Sequence, residues 1–210
     1  MTALEALTLR GDAGCLEALW QPHPGAAGAA LVCHSHPEYG GSVRDRVVHR
    51  MARALGAAGF AVLRFNFRGV GASEGRFDGG RGERDDVRAA IDHLARAHGR
   101  VLVAGYSFGA WVGLAAGAAD PRVSALCGVG APADVFDFAA VRDVGKPLLV
   151  VQGDRDEWGS LAHVRAAVAA AGARGHLAVI PGADHAFRGG LDAMMGAVEG
   201  FARQVSLRPA

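Results

Sequence analysis

The chain has 210 residues, half of them hydrophobic and a fifth charged, with a formal net charge of +1. That length suits one domain, residues 1–210, with a core large enough to need neither metal nor disulfide. The balanced charge offers no basic surface for nucleic acid and no patch for an acidic membrane.

In chain order, the apolar runs Leu4–Arg10 and Cys15–Trp20 flank Gly11-Asp12-Ala13-Gly14 and predict an antiparallel hairpin at a sheet edge. Short β-rich runs follow at Ala29–Cys33, Phe60–Phe65, Val101–Ala104, Val123–Val129, Leu148–Val151 and Leu177–Ile180. Segments with helical periodicity lie between them, near residues 43–58, 83–97, 108–119, 160–171 and 190–205. Apolar strands alternating with helices predict an α/β fold with a mostly parallel sheet covered on both faces. Asp120-Pro121 ends one helix, because the residue before proline avoids the helical region. Gly172 fits the position just past another.

Arg76, Arg81, Arg84 and Arg88 alternate with Glu74, Asp78, Glu83, Asp85 and Asp86, which reads as a solvated face. The three cysteines, Cys15, Cys33 and Cys127, are far apart in apolar surroundings and read as buried free thiols. Such usage fits a reducing compartment, hence the cytoplasm. Met1 to Leu19 lacks the basic and apolar regions of a signal peptide, and no stretch is apolar and long enough for a membrane span.

The chemistry concentrates in three segments. The first is Gly105-Tyr106-Ser107-Phe108-Gly109, set between an apolar strand and an Ala/Gly-rich helix. With 31 glycines in the chain the pentad alone is weak evidence; its strand-to-helix context is what raises it. A sharp turn there would strain the serine, need tiny residues two positions away on either side, and set the hydroxyl at a helix N-terminus. A serine hydroxyl needs a base, and the base an orienting carboxylate. His185 follows the last strand within Pro181-Gly182-Ala183-Asp184-His185-Ala186-Phe187, alone among the nine histidines in that location. His23, His49, His93, His98, His163 and His176 read as ordinary surface residues. The third segment, Gln152-Gly153-Asp154-Arg155-Asp156-Glu157-Trp158, offers Asp154, Asp156 and Glu157 as competing acids.

Together these segments resemble the α/β-hydrolase superfamily. His34-Ser35-His36-Pro37-Glu38-Tyr39-Gly40-Gly41 and Arg64–Gly75 look like a narrower group of small, lidless bacterial serine hydrolases and carboxylesterases related to dienelactone hydrolases. The resemblance covers residues 28 to 205 and implies a cleavage of small carboxylic esters through an acyl-enzyme, with no cofactor. Its G-x-x-D pattern maps the acid onto Asp156, which leaves Asp154 as an Asx-type turn former. Its H-G-x turn implies that the N–H of His36 joins that of Phe108 in binding an oxyanion, although Ser35 stands where glycine is usual. Tyr39 joins them as a substrate-binding residue. Dienelactone hydrolases use cysteine as nucleophile; Ser107 departs from that, so their specific activity is not implied. A thioesterase, an amidase or a non-catalytic binding protein on this fold are the alternative readings, and the chain is expected to be a monomer or homodimer.

Two further motifs have rival readings. His34-x-His36 could be half of a metal site, but no zinc-type spacing completes it. Gly69-Val70-Gly71 lacks the third glycine and the immediate helix of a dinucleotide site, so a tight turn is expected, with Arg68 tied to backbone carbonyls. Gly130 to Lys146 is too short for a large cap, with Val135, Phe136 and Phe138 as an apolar rim.

Overall fold

A computed structural model describes residues 3–26 and 28–206. The strands are β1 (Glu5–Gly11), β2 (Gly14–Gln21), β3 (Ala29–Cys33), β4 (Ala61–Phe65), β5 (Val101–Tyr106), β6 (Val123–Val129), β7 (Leu148–Gly153) and β8 (Gly175–Ile180). The α-helices are α1 (Arg46–Ala57), α2 (Arg81–Ala95), α3 (Phe108–Ala119), α4 (Leu161–Ala170) and α5 (Leu191–Ser206). All eight strands form one sheet in the order β1-β2-β4-β3-β5-β6-β7-β8. The β1–β2 and β2–β4 pairs are antiparallel, and every other pair is parallel. The expected fold class is therefore the observed one.

Side chains alternate across the strands and build two cores. In β3, Leu31 and Cys33 face one core while Ala30 and Val32 face the other. The first core takes Val87, Ile91 and Leu94 of α2, Val112 and Leu114 of α3, and Val164 and Val168 of α4. The second takes Val48 and Met51 of α1 with Met194, Val198 and Phe201 of α5. Each fully buried leucine contributes about 1.5–3 kcal/mol by leaving water. Central strands covered on both faces explain the uninterrupted apolar runs in the sequence.

The sheet order fixes where a site can form. β3 lies between β4 and β5, so the chain departs in opposite directions from its two sides. Loops leaving the C-terminal ends of β3 and β5 flank the crevice where open α/β sheets bind ligands. No helix among the described residues is long and apolar enough to cross a membrane. Between β6 and β7 there is a single 3₁₀ turn, Ala139–Val141, and no cap.

Several local expectations need correction. The acidic and basic residues of 74–88 do not form one solvated face: Glu83 and Asp86 are fully buried. Glu83 accepts the N–H groups of Asp78 and Gly80 at 2.9 and 2.7 Å, closing the turn into α2. Asp86 accepts both the backbone N–H and the guanidinium of Arg68, the latter at 2.7 Å, so Arg68 pairs with a carboxylate rather than with backbone carbonyls. A buried charge is tolerated when so paired. Cys15 is exposed on β2, while Cys33 and Cys127 are buried. The glycine loop after β4 holds no phosphate cradle: the Ala72 N–H and the Asn66 amide both donate to the Glu17 carboxylate, at 3.0 and 2.7 Å. It is a brace between β4 and the N-terminal hairpin.

Candidate active site

Ser107 stands at the turn from β5 into α3 with φ 54° and ψ −121°. A non-glycine residue rarely adopts a positive φ, and holding one there costs on the order of 1–3 kcal/mol. The surroundings enforce it. The Ser107 N–H donates to the Val129 carbonyl of β6 at 2.9 Å, and its carbonyl accepts the N–H groups of Ala110 and Trp111. A Cβ on Gly105 would lie 2.1 Å from the Gly109 carbonyl oxygen, and one on Gly109 would lie 2.4 Å from that of His34. Glycine at both positions lets strand and helix meet, as the pentad predicts.

Three loops converge on this turn. His185 follows β8, and its Nε2 lies 2.9 Å from the Ser107 Oγ. Its Nδ1 lies 3.0 and 2.9 Å from the two carboxylate oxygens of Asp156, which follows β7. A carboxylate only accepts, so Nδ1 carries the proton and Nε2 is left to accept from the serine hydroxyl. The Asp156 side chain is fully buried, and its Oδ1 also accepts the N–H groups of Trp158 and Gly159 at 2.9 and 3.2 Å. Of the three competing acids, only Asp156 meets the imidazole. Asp154 is not an Asx-turn former; its Oδ1 accepts the Gly182 N–H at 2.7 Å and ties the β7 and β8 loops together. Glu157 accepts the backbone N–H of His185 at 3.3 Å.

The third side is the loop after β3. His34 is fully buried. Its Nε2 accepts the Phe67 N–H at 3.0 Å, so Nδ1 donates to the Ser35 carbonyl at 2.7 Å. Both ring nitrogens are thus engaged, which leaves His34 unfit as a metal ligand. Burial holds it at about 4, well below the ordinary histidine value, and it is neutral at physiological pH. The Ser35 hydroxyl donates to Asp45, which caps α1. His36 opens the 3₁₀ turn Pro37–Tyr39, and its ring packs between Tyr39 and Phe108, with centroids at 4.5 and 4.9 Å. Phe108 is the first residue of α3, so its N–H has no acceptor within the helix. Among the described residues, neither that N–H nor the one of His36 donates to a protein acceptor.

These residues border an open cleft of about 360 Å³ that also takes in Tyr39, Pro132, Val135, Phe136 and Trp158. Val135 and Phe136 lie at the rim as expected. Phe138 does not: it turns inward with Leu114, Val141 and Val164, because it starts the 3₁₀ turn that packs under α3 and α4.

Three contributors escaped the sequence reading. Tyr106 borders the cleft and donates its hydroxyl to the His185 carbonyl at 3.2 Å; burial, reinforced by nearby carboxylates, pushes that hydroxyl's pKa up. Its position just before Ser107 was the available signal. Gln152 is fully buried, accepts the Ala131 N–H at 2.8 Å and donates to the Gly159 carbonyl at 2.9 Å, bracing the acid loop. A glutamine closing an apolar run hinted at it. Trp158 flanks His185, with centroids 6.3 Å apart.

A family model described as an alpha/beta hydrolase domain matches residues 29–193. An uncharacterized protein of Rickettsia prowazekii is 35% identical over 170 residues, covering 76% of this chain and 71% of that protein. The solved structure of a serine hydrolase without a lid from Xanthomonas campestris superposes with a TM-score of 0.89 at 36% identity, covering 100% of this chain and 98% of that one. A serine hydrolase homologue from Coxiella burnetii gives 0.86 at 34% identity, over 95% and 97% of the two chains.

Proposed function

The chain belongs to the alpha/beta hydrolase family, and from that premise we propose that it is a serine hydrolase cleaving small carboxylic esters through an acyl-enzyme. The observation that carries this reading is the continuous hydrogen-bond relay from the buried Asp156 through His185 to the strained Ser107 at the mouth of the sheet.

In this mechanism the Ser107 Oγ attacks the ester carbonyl carbon as its proton passes to Nε2 of His185. The imidazolium so formed is stabilised by the Asp156 carboxylate. The carbonyl oxygen becomes an oxyanion, which the N–H groups of Phe108 and His36 stabilise; one such donor contributes a factor of about 10²–10³ in kcat. Collapse breaks the bond to the alkoxide, which leaves as the alcohol with the proton from His185. Water then gives its proton to His185 and attacks the acyl carbon, and collapse of the second oxyanion returns Ser107 and the carboxylic acid. Every proton moves between groups of the chain, the substrate and water, so the reaction asks for no cofactor. An ester makes less demand than an amide, since its alkoxide leaves more readily than an amine.

Hydrolysis of p-nitrophenyl acetate tests the proposal. Ser107→Ala should lower kcat on the order of 10⁶-fold while the protein stays folded. A variant hydrolysing the ester at the parent rate would overturn it.

A further inference from the structure

The exposed apolar residues of this protein are unevenly placed. Among the described residues, four large hydrophobic side chains are exposed: Leu4, Tyr39, Val135 and Trp158. The last three all border the cleft at Ser107. Exposed apolar surface gathered at one concave site marks ligand binding rather than chance. Two of the rings there, Tyr39 and Phe136, are also held in place. Tyr39 stacks on His36 at 28° between ring planes. Phe136 stacks on Trp111 at 11° and 4.3 Å, and the Trp111 indole N–H donates to the Asp137 carbonyl at 2.9 Å. The Arg84 guanidinium covers Trp111 at 4.9 Å from its centroid. Ordered rings bind without a further loss of side-chain freedom.

The charges are equally telling. Among the described residues bordering the cleft there is no Lys, Arg, Asp or Glu. Two carboxylates stand close behind the lining, Asp156 on the imidazole and Glu157 on the His185 N–H, so an anionic substrate would meet repulsion and find no cation on the cleft's own lining to pair with.

On the serine-hydrolase reading above, we infer that the substrate is an uncharged ester carrying an aromatic ring, seated against Tyr39, Phe136 and Trp158. Ring-on-ring contact adds to what burial of an equally large aliphatic group gives, and the surplus corresponds to about a threefold to tenfold preference.

The test compares kcat/KM, each divided by the ester's own rate of alkaline hydrolysis, for pairs matched in size. Benzyl acetate is set against cyclohexylmethyl acetate, and methyl phenylacetate against methyl cyclohexylacetate, so that the ring is tried on either side of the ester. The aromatic member should win by at least threefold in one pair, and 4-carboxybenzyl acetate should fall at least tenfold below benzyl acetate. Tyr39→Leu and Trp158→Leu alter exposed side chains, and at least one should bring the winning ratio toward unity. Equal rates in both pairs, a ratio untouched by both substitutions, or an anionic ester handled as well as the neutral one would overturn the inference. If none of the esters turns over while a fluorophosphonate still labels Ser107, the inference fails and the hydrolase reading stands. If no labelling occurs, both fail.

Discussion

Asp154 and Asp156 differ only in what they touch. Asp156 meets the imidazole at 2.9 Å, whereas Asp154 joins two loops through the Gly182 N–H. Asp156→Asn should therefore lower kcat by about 10⁴, the loss seen when a triad acid no longer fixes the histidine tautomer, and Asp154→Asn should cost far less. Parallel kinetics on the two variants decide the assignment, and a larger loss at Asp154 would reverse it. His34 carries a second residue-level consequence. Its value is about 4 in the folded chain and about 6.5 when unfolded. Between those values the unfolded chain binds a proton that the folded chain does not, so stability is present above about 6.5 and lost as pH falls. From pH 7 to pH 5 the loss from this group is about 2 kcal/mol. His34→Gln, with a side-chain oxygen able to accept the Phe67 N–H, should lose less over that range by about this amount, measured by urea unfolding at both pH values; equal losses would contradict it. The serine and histidine were legible because each sits in a short motif at a strand end. The choice among Asp154, Asp156 and Glu157 was not, because loop curvature rather than spacing decides which carboxylate reaches the imidazole, and only the family pattern picked Asp156.

At the scale of elements, the turn from β5 into α3 stores strain in the positive φ of Ser107. Glycine adopts that conformation freely, while alanine does not. Ser107→Gly should therefore be more stable than Ser107→Ala by about 1 kcal/mol after the entropy of the unfolded glycine is offset. Denaturant midpoints of the two variants give the comparison, and an alanine variant as stable as the glycine one would show the turn to be unstrained. The elements themselves were readable, since buried parallel strands leave apolar runs and Gly105 and Gly109 mark the close approach. Strands β5 and β7 end two residues later than the apolar runs and β8 begins two residues earlier, because ladder pairing extends beyond the apolar side chains, as in Tyr106 with Val129 and Gly175 with Leu148. The burial of Glu83 and Asp86 was not readable. Charge alternation looks the same whether a carboxylate faces water or turns inward to meet Arg68 and the backbone N–H groups of a turn.

For the molecule as a whole, the shortness of the β6–β7 connection was visible in the sequence, and the structure places only a 3₁₀ turn there. The inward turn of Phe138 was hidden, since an aromatic in a loop gives no sign of which layer it joins. A cleft without a cap buries few methylenes, each worth about 0.8 kcal/mol. Across p-nitrophenyl esters from acetate to palmitate, kcat/KM should be highest for short acyl chains and show no jump when the substrate aggregates. A steady rise toward palmitate would contradict an open site. The central claim is that Ser107 is a nucleophile activated by His185, and covalent labelling tests it most directly. Treated with a fluorophosphonate, the intact protein should gain one phosphonyl group, mapped by mass spectrometry to the peptide holding Ser107, with His185→Ala labelled far more slowly and Ser107→Ala not at all. An unlabelled parent protein, or a label on another residue, would contradict the account.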